Sequence, residues 1–283
     1  MAQSKYRNKV ASKLGLDDLE VFEPNERAYI WLNQPLAGDK HSRFPKFITY
    51  GTEDVSEYFD RGEVYVLDKS SVYAGLVLSE IEAGTVLDFC ASPGGKTFLA
   101  KKLLDPELIV SNEIDKGRVK ALISNLSRCS LKDVIVTSQK KLDSIFDLVI
   151  VDAPCSGQSL KQKDNPFHPV IISGNKTRQR AILNEASKNS GSYLAYITCT
   201  FSIEENEKNI DWFLKNNPEF ISVSVDALKD FRSSLSENYC YRFFPPKDGR
   251  GGFCSLMKRR DPLDSEIGSL RALWRSDNSK NQP

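Results

Sequence analysis

The chain has 283 residues, 40% of them apolar, with 39 Lys and Arg against 38 Asp and Glu for a net charge of +1. That balance excludes a disordered chain and leaves bulk charge silent about a nucleic-acid partner. No apolar run approaches the ~20 residues that cross a bilayer, and the opening MAQSKYRNKV lacks the apolar core of a secretory signal, so a cytoplasmic, monomeric protein with no membrane partner is expected. Residues 1–64 read as a small accessory α+β region, with alternating patterns at 28–32 and 46–50 suggesting short strands and a helix near 54–59. From residue 84 short apolar runs alternate with amphipathic stretches. Strands are predicted at 85–89, 108–112, 134–137, 148–151 and 193–198, and helices at 95–104, 116–128, 178–188 and 204–216. Residues 65–260 thus form an α/β domain with a parallel sheet covered on both faces, and 261–283 a tail with one possible helix at 267–274.

Ligands of such sheets sit beyond the carboxyl ends of the strands, which is where the chemically informative residues fall. The strand at 85–89 runs into DFCASPGGKT at 88–97. A small-residue turn opening a helix presents unpaired backbone N–H groups and the positive end of the helix dipole to an anion. A nucleotide P-loop would need glycine where Cys90 stands, so that alternative fails. Nineteen residues after Gly94, at the end of the next strand, Glu113 is spaced to accept both ribose hydroxyls of a nucleoside. S-adenosylmethionine fits this pattern, as do other nucleosides.

Six cysteines, at 90, 129, 155, 199, 240 and 254, contain no CxxC pair, so neither a metal site nor a disulfide framework is expected. Two of them follow strands: Cys155 in DAPCSG at 152–157 and Cys199 in TCT at 198–200. The other four read as small buried hydrophobes, Cys90 also as part of the glycine turn. Two segments are locally basic. Residues 156–180 carry Lys161, Lys163, Lys176, Arg178 and Arg180 against Asp164, and 242–260 carry six Lys and Arg against Asp248. Such segments can contact phosphates on a protein that is neutral overall.

The runs DFCASPGGKT, SNEIDKGRVKAL, DAPCSG and YITCTFSIEENE resemble four successive motifs of the Nol/Nop/Sun family of RNA cytosine-5 methyltransferases. Smaller echoes occur at 65–71, 179–183, 241–245 and 251–253, so the resemblance covers roughly residues 63–260. It implies a class I Rossmann-like methyltransferase, a mostly parallel seven-stranded sheet with helices on both faces. It implies that S-adenosylmethionine is held by Cys90, Ala91, Ser92, Pro93, Gly94, Gly95, Lys96 and Glu113, with Asp152 between cofactor and base. It makes Cys199 the nucleophile and Cys155 the residue that assists product release, with Lys161, Lys163 and Gln179 as substrate or loop contacts.

The chemistry explains the thiols, because cytosine carbon 5 becomes nucleophilic only after a thiolate adds at carbon 6. Asp152 is placed to assist at ring nitrogen 3, and the base must leave its stack. The family's usual acid or asparagine after the third strand is missing from Thr137-Ser138-Gln139-Lys140-Lys141, where Ser138 or Gln139 substitutes. Ribosomal RNA is expected before transfer RNA. Two alternatives stand beside this reading: a DNA cytosine-5 methyltransferase, whose nucleophile would be Cys155, and a non-catalytic RNA-binding assembly protein.

Overall fold

The structure, a computed structural model, describes residues 11, 12, 14, 26–159, 169–245 and 247–266. The expected helix at 267–274 lies outside them. The accessory region is a four-stranded antiparallel sheet of β1 (Arg27–Trp31), β2 (Asp39–Lys40), β3 (Ile48–Gly51) and β4 (Val64–Leu67), in the order β2-β3-β1-β4. A short helix α1 (Ser56–Asp60) precedes β4. Tyr29, Trp31, Val55 and Val64 make its small core, with the Trp31 indole donating to Thr49 Oγ1 at 2.8 Å. The boundary expected between 64 and 65 falls inside β4, which pairs with β1 from Ala28↔Leu67 to Trp31↔Val64. Asp68, accepting from the Ser70 amide at 2.9 Å, caps α2 (Lys69–Gly75) and starts the next layer.

The main sheet contains β5 (Thr85–Asp88), β6 (Leu108–Asn112), β7 (Val134–Thr137), β8 (Phe146–Asp152), β9 (Ser190–Thr198), β10 (Phe220–Ser222) and β12 (Gly252–Arg259), ordered β10-β12-β9-β8-β5-β6-β7. A further short strand, β11 (Tyr241–Phe243), pairs with β12. Pairs among β5 to β9 are parallel, whereas β10, β11 and β12 join antiparallel. The connecting helices are α3 (Gly95–Leu104), α4 (Lys116–Arg128), α5 (Pro169–Lys188) and α6 (Glu207–Asn216). Because side chains alternate across a strand, each face acquires its own core. Val86, Ile109, Leu148, Ile150 and Ile197 pack toward Phe98 of α3 and Leu122 of α4. Leu87, Val110, Val149, Val151 and Tyr196 pack toward Leu183 of α5 and Ile210 and Phe213 of α6.

The sequence places β6, β7, α3 and α4 at their observed limits. α5 is longer than expected, starting at 169, because its added turns carry exposed Val170 and Ile171 and present no amphipathic stripe to read. α6 starts later than expected, at Glu207. The amides of Glu205 and Asn206 both bond the Ser202 carbonyl (3.2 and 3.1 Å), which makes 204–206 a turn. Among the described residues no helix is long and apolar enough to cross a membrane.

Candidate active site

Three adjacent strands, β5, β8 and β9, end at one edge of the sheet and deliver the glycine loop, Asp152 and the two thiols to it, while Glu113 follows β6 and Ser138 follows β7 at the same edge. After β5 the chain is tied down by Phe89 N to the Ile150 carbonyl (2.8 Å) and Ala91 N to the Asn112 carbonyl (2.9 Å). The Ser92-Pro93 peptide is cis, and Gly94 takes φ +116° at the start of α3, a conformation other residues rarely adopt. A Cβ on Gly95 would lie 2.9 Å from a Leu67 methyl, so the turn packs closely against β4 and a larger residue there would have to displace that side chain. Ser92 is fastened to α4 from both sides, its hydroxyl donating to the Arg118 carbonyl (2.8 Å) and its carbonyl accepting from Arg118 Nη2 (2.5 Å). Asn125 and Tyr65 both donate to the Pro93 carbonyl. The loop is therefore rigid before any ligand arrives, which lowers the ordering cost of binding.

A cleft of about 270 Å³ opens beside it, lined by Phe89, Cys90, Glu113, Ile114, Pro154 and Ile182 among others. Glu113 is buried. Its Oε1 accepts the Asp115 amide at 3.0 Å, and its Oε2 lies 3.1 Å from Arg118 Nη1 without an aligned hydrogen bond, so acceptor capacity remains at the cleft wall. Burial also pushes the Cys90 thiol up, with help from the Asp88 and Glu113 charges. Beneath the loop, Asp88 is fully buried and accepts from Thr97 Oγ1 at 2.8 Å. Burial pushes its carboxyl up to about 7, against the lowering effect of that hydrogen bond, and the nearby Asp152 charge adds to the rise. Lys96, on the first turn of α3, is buried and pairs with Asp152 Oδ2 at 3.3 Å. That ion pair bridges the glycine loop to the end of β8.

Cys155 and Cys199 meet with their sulfurs 2.9 Å apart. None of the six cysteines is in a disulfide. Cys155 is buried, Cys199 only partly so. The hydrogen bond with Cys199, then burial, then the neighbouring Cys199 and Glu205 charges hold the Cys155 thiol well above its ordinary range. The two loops are cross-braced. Ser159 Oγ donates to the Cys199 carbonyl (2.8 Å), Ser156 Oγ meets Thr200 Oγ1 (2.8 Å), and the Ser156 amide donates to Glu205 Oε2 (2.9 Å). Behind the Cys199 loop, Glu207 and Arg242 form a buried ion pair, and Arg242 Nη1 donates to the Phe201 carbonyl (3.1 Å). Phe201 stacks on Phe244, at the rim of a second cavity of about 420 Å³ that also borders Arg43, Phe231 and Lys247.

The fold thus brings together Cys90–Lys96, Glu113, Asp152, Cys155 and Cys199. Lys161 and Lys163 lie outside the described residues. Gln179 makes a loop contact: it is fully buried, its amide nitrogen donating to the Pro154 carbonyl and Glu205 Oε2, both at 2.9 Å, and its oxygen accepting from Asn209. Ser138 is exposed just after β7, and the turn it belongs to is held by Asn112 instead. Asn112 Oδ1 accepts from Thr137 Oγ1 and the Gln139 amide, both at 2.9 Å. Asn112, Thr97, Asp88 and Glu205 were not singled out from the sequence, and only the strand-end positions of Asp88 and Asn112 could have pointed to them.

Residues 75–257 match the family model described as 16S rRNA methyltransferase RsmB/F. The chain belongs to this RsmB/F family. Ribosomal RNA small subunit methyltransferase F of Psychromonas ingrahamii is 32% identical over 220 residues, 70% of this chain and 45% of that protein. The Klebsiella pneumoniae protein of the same name is 29% identical, covering 72% and 46% of the two chains. The 28S rRNA (cytosine(4447)-C(5))-methyltransferase of Homo sapiens is 28% identical, covering 68% and 27%. The chain spans fewer than half the residues of these curated relatives. Its fold is that of the crystal structure of PH0851, with a TM-score of 0.72 and 25% identity over 84% of this chain and 60% of that one. NSun6 from Pyrococcus horikoshii with SFG gives a TM-score of 0.64 at 24% identity, covering 75% and 58%. RsmB/F members are S-adenosylmethionine-dependent, and the glycine loop, the acceptor left on Glu113 and the apolar cleft wall fit that group.

Proposed function

We propose that this RsmB/F-family protein methylates carbon 5 of a cytosine in ribosomal RNA, using S-adenosylmethionine and a covalent Cys199 adduct. The carrying observation is the meeting of two thiols, 2.9 Å apart, at the strand ends beside the Lys96–Asp152 pair. Cys90–Lys96 and Glu113 would hold the cofactor, whose bound form supplies an electrophilic methyl group. Ser138, exposed at the end of β7, would sit toward the adenine side.

Cys199 is the more exposed thiol and the one a flipped base would meet. Its thiolate adds to carbon 6, forming an S–C6 bond and moving the ring π-electrons toward carbon 5 and ring nitrogen 3, to which Asp152, a carboxylate paired with Lys96, would relay a proton from water. After methylation carbon 5 carries both a methyl and a proton. Water takes the proton, its electron pair restores the C5=C6 double bond, and the C6–S bond breaks with sulfur leaving as thiolate. Cys155, held as a neutral thiol, donates a hydrogen bond to that departing sulfur. Lys161 and Lys163 would contact RNA phosphates, and the cavity bordered by Arg43, Phe231 and Lys247 would take nucleotides beside the target. The rRNA substrate rests on the relatives' activities.

Methyl incorporation into rRNA, tRNA and DNA tests the substrate class. Cys199→Ala is expected to yield neither product nor protein–RNA adduct, whereas Cys155→Ala forms the bond and stalls as an adduct that survives denaturing electrophoresis. An adduct from Cys199→Ala, with none from Cys155→Ala, would make Cys155 the nucleophile and favour the DNA-enzyme pattern.

A further inference from the structure

The loops that carry the two thiols are joined by one carboxylate. Glu205 sits on the Cys199 loop, is fully buried, and directs Oε2 at the Ser156 amide, immediately after Cys155. The same oxygen accepts from Gln179 Nε2, which also donates to the Pro154 carbonyl, immediately before Cys155. Cys155 is thus gripped on both flanks through a single Glu205–Gln179 unit. That unit is anchored in turn. Tyr196 Oη donates to the Glu205 carbonyl (2.8 Å), and Asn209 Nδ2 donates to Gln179 Oε1 (2.9 Å) and to the Glu205 carbonyl (3.1 Å). Strand β9, the 199–207 loop, α5 and α6 all converge on it.

We propose that Glu205 and Gln179 are positioning residues that fix Cys155 against Cys199 and so set the rate at which the methylated base is released. The inference rests on the covalent reading above. Adding Cys199 to carbon 6 requires the Cys199 loop and the base, but not the placement of Cys155. Breaking the C6–S bond, with the carbon 5 proton passing to water and the sulfur leaving as thiolate, places negative charge where the Cys155 thiol must already lie within hydrogen-bond reach. Misplacing that donor by an ångström removes its help at this step alone.

Two RNA probes separate the steps, each a small-subunit rRNA transcript. One contains 5-fluorocytidine, whose carbon 5 has no proton to lose, so adduct yield reads bond formation. The other is unmodified, and adduct persistence reads release. Glu205→Ala is expected to trap on the fluorinated transcript within about threefold of the parent while releasing the unmodified one roughly tenfold more slowly. Glu205→Gln keeps a carbonyl acceptor for both donors and is expected to restore release. Gln179→Met, which removes both of that side chain's donations, should repeat the Glu205→Ala pattern and stands in if the latter does not fold. Equal release from folded Glu205→Ala and parent overturns the proposal. So does an equal loss in both steps, or a Glu205→Gln variant as slow as Glu205→Ala. Failure of the parent itself to trap on the fluorinated transcript would instead refute the covalent mechanism.

Discussion

Asp88 links the cofactor loop to the pH dependence of stability. Its carboxyl is fully buried at the end of β5, with one oxygen bonded by Thr97 and the other, Oδ1, accepting no hydrogen bond from the described residues. Burial pushes it from 3.8 to about 7. A group whose folded pKa is raised contributes stability that is complete below its unfolded pKa and is lost as pH rises through its folded value. The loss therefore runs from about pH 4 to about pH 7 and is complete above that. Roughly three pKa units at 1.36 kcal/mol each give about 4 kcal/mol. Asp88→Asn mimics the neutral acid, and its amide oxygen can still accept from Thr97, so it removes the titration with little change in shape. Urea unfolding of parent and variant at half-unit steps from pH 4 to pH 8 measures the difference. The parent should weaken relative to the variant by about 4 kcal/mol across that window, leaving Asp88→Asn the more stable protein at pH 8. Stability curves that stay parallel to within about 1 kcal/mol would refute the upward push on the buried Asp88 carboxyl.

Two further predictions concern binding. Glu113→Ala should weaken S-adenosylmethionine binding by about 1–3 kcal/mol in calorimetry, because hydrogen-bonding groups of the ligand lose their acceptor. Unchanged affinity would remove Glu113 from the cofactor site. Replacing Lys161 and Lys163 together with Gln should lower RNA affinity and reduce the slope of log affinity against log salt by up to about 2, with cofactor affinity unchanged. A slope equal to the parent's would make these lysines solvent-facing charges only.

The parallel core of the domain was legible because local signals agree there. Asp115 caps α4 by accepting from Gly117 and Arg118, and Gly94 marks the start of α3 at a positive φ. β2, of two residues, and β10, of three, are too short to carry a period and were not seen. The run Glu204-Glu205-Asn206-Glu207 shows the limit most clearly. In sequence these are three similar acids opening a helix, yet Glu204 pairs with Lys208 at an exposed turn, Glu205 grips the Cys155 loop and Glu207 holds Arg242. Which acid faces inward depends on where the turn at 204–206 ends, a tertiary fact. Gln179 stands out in the sequence only through the family resemblance, because a polar side chain on a helix reads as outward-facing until the partners that bury it are known.

The order of strands across the sheet explains why these motifs work together although they are far apart in sequence. β5, β8 and β9 are consecutive neighbours, all parallel, so their carboxyl ends fall on one edge in the order glycine loop, Asp152, Cys199. The register Asp152↔Ile197 sets the two last strands nearly level, so a residue three beyond Asp152 and one two beyond Ile197 can bring their sulfurs together. An antiparallel pair would send the two loops to opposite ends of the sheet, and a shift of one residue would turn one thiol to the other face. Lys96 then ties the first strand end to the second through Asp152, and Glu205 ties the second to the third through Ser156. Each tie crosses one strand boundary, so a methyl group moving from cofactor to base would travel sideways over strand ends that are already braced against one another.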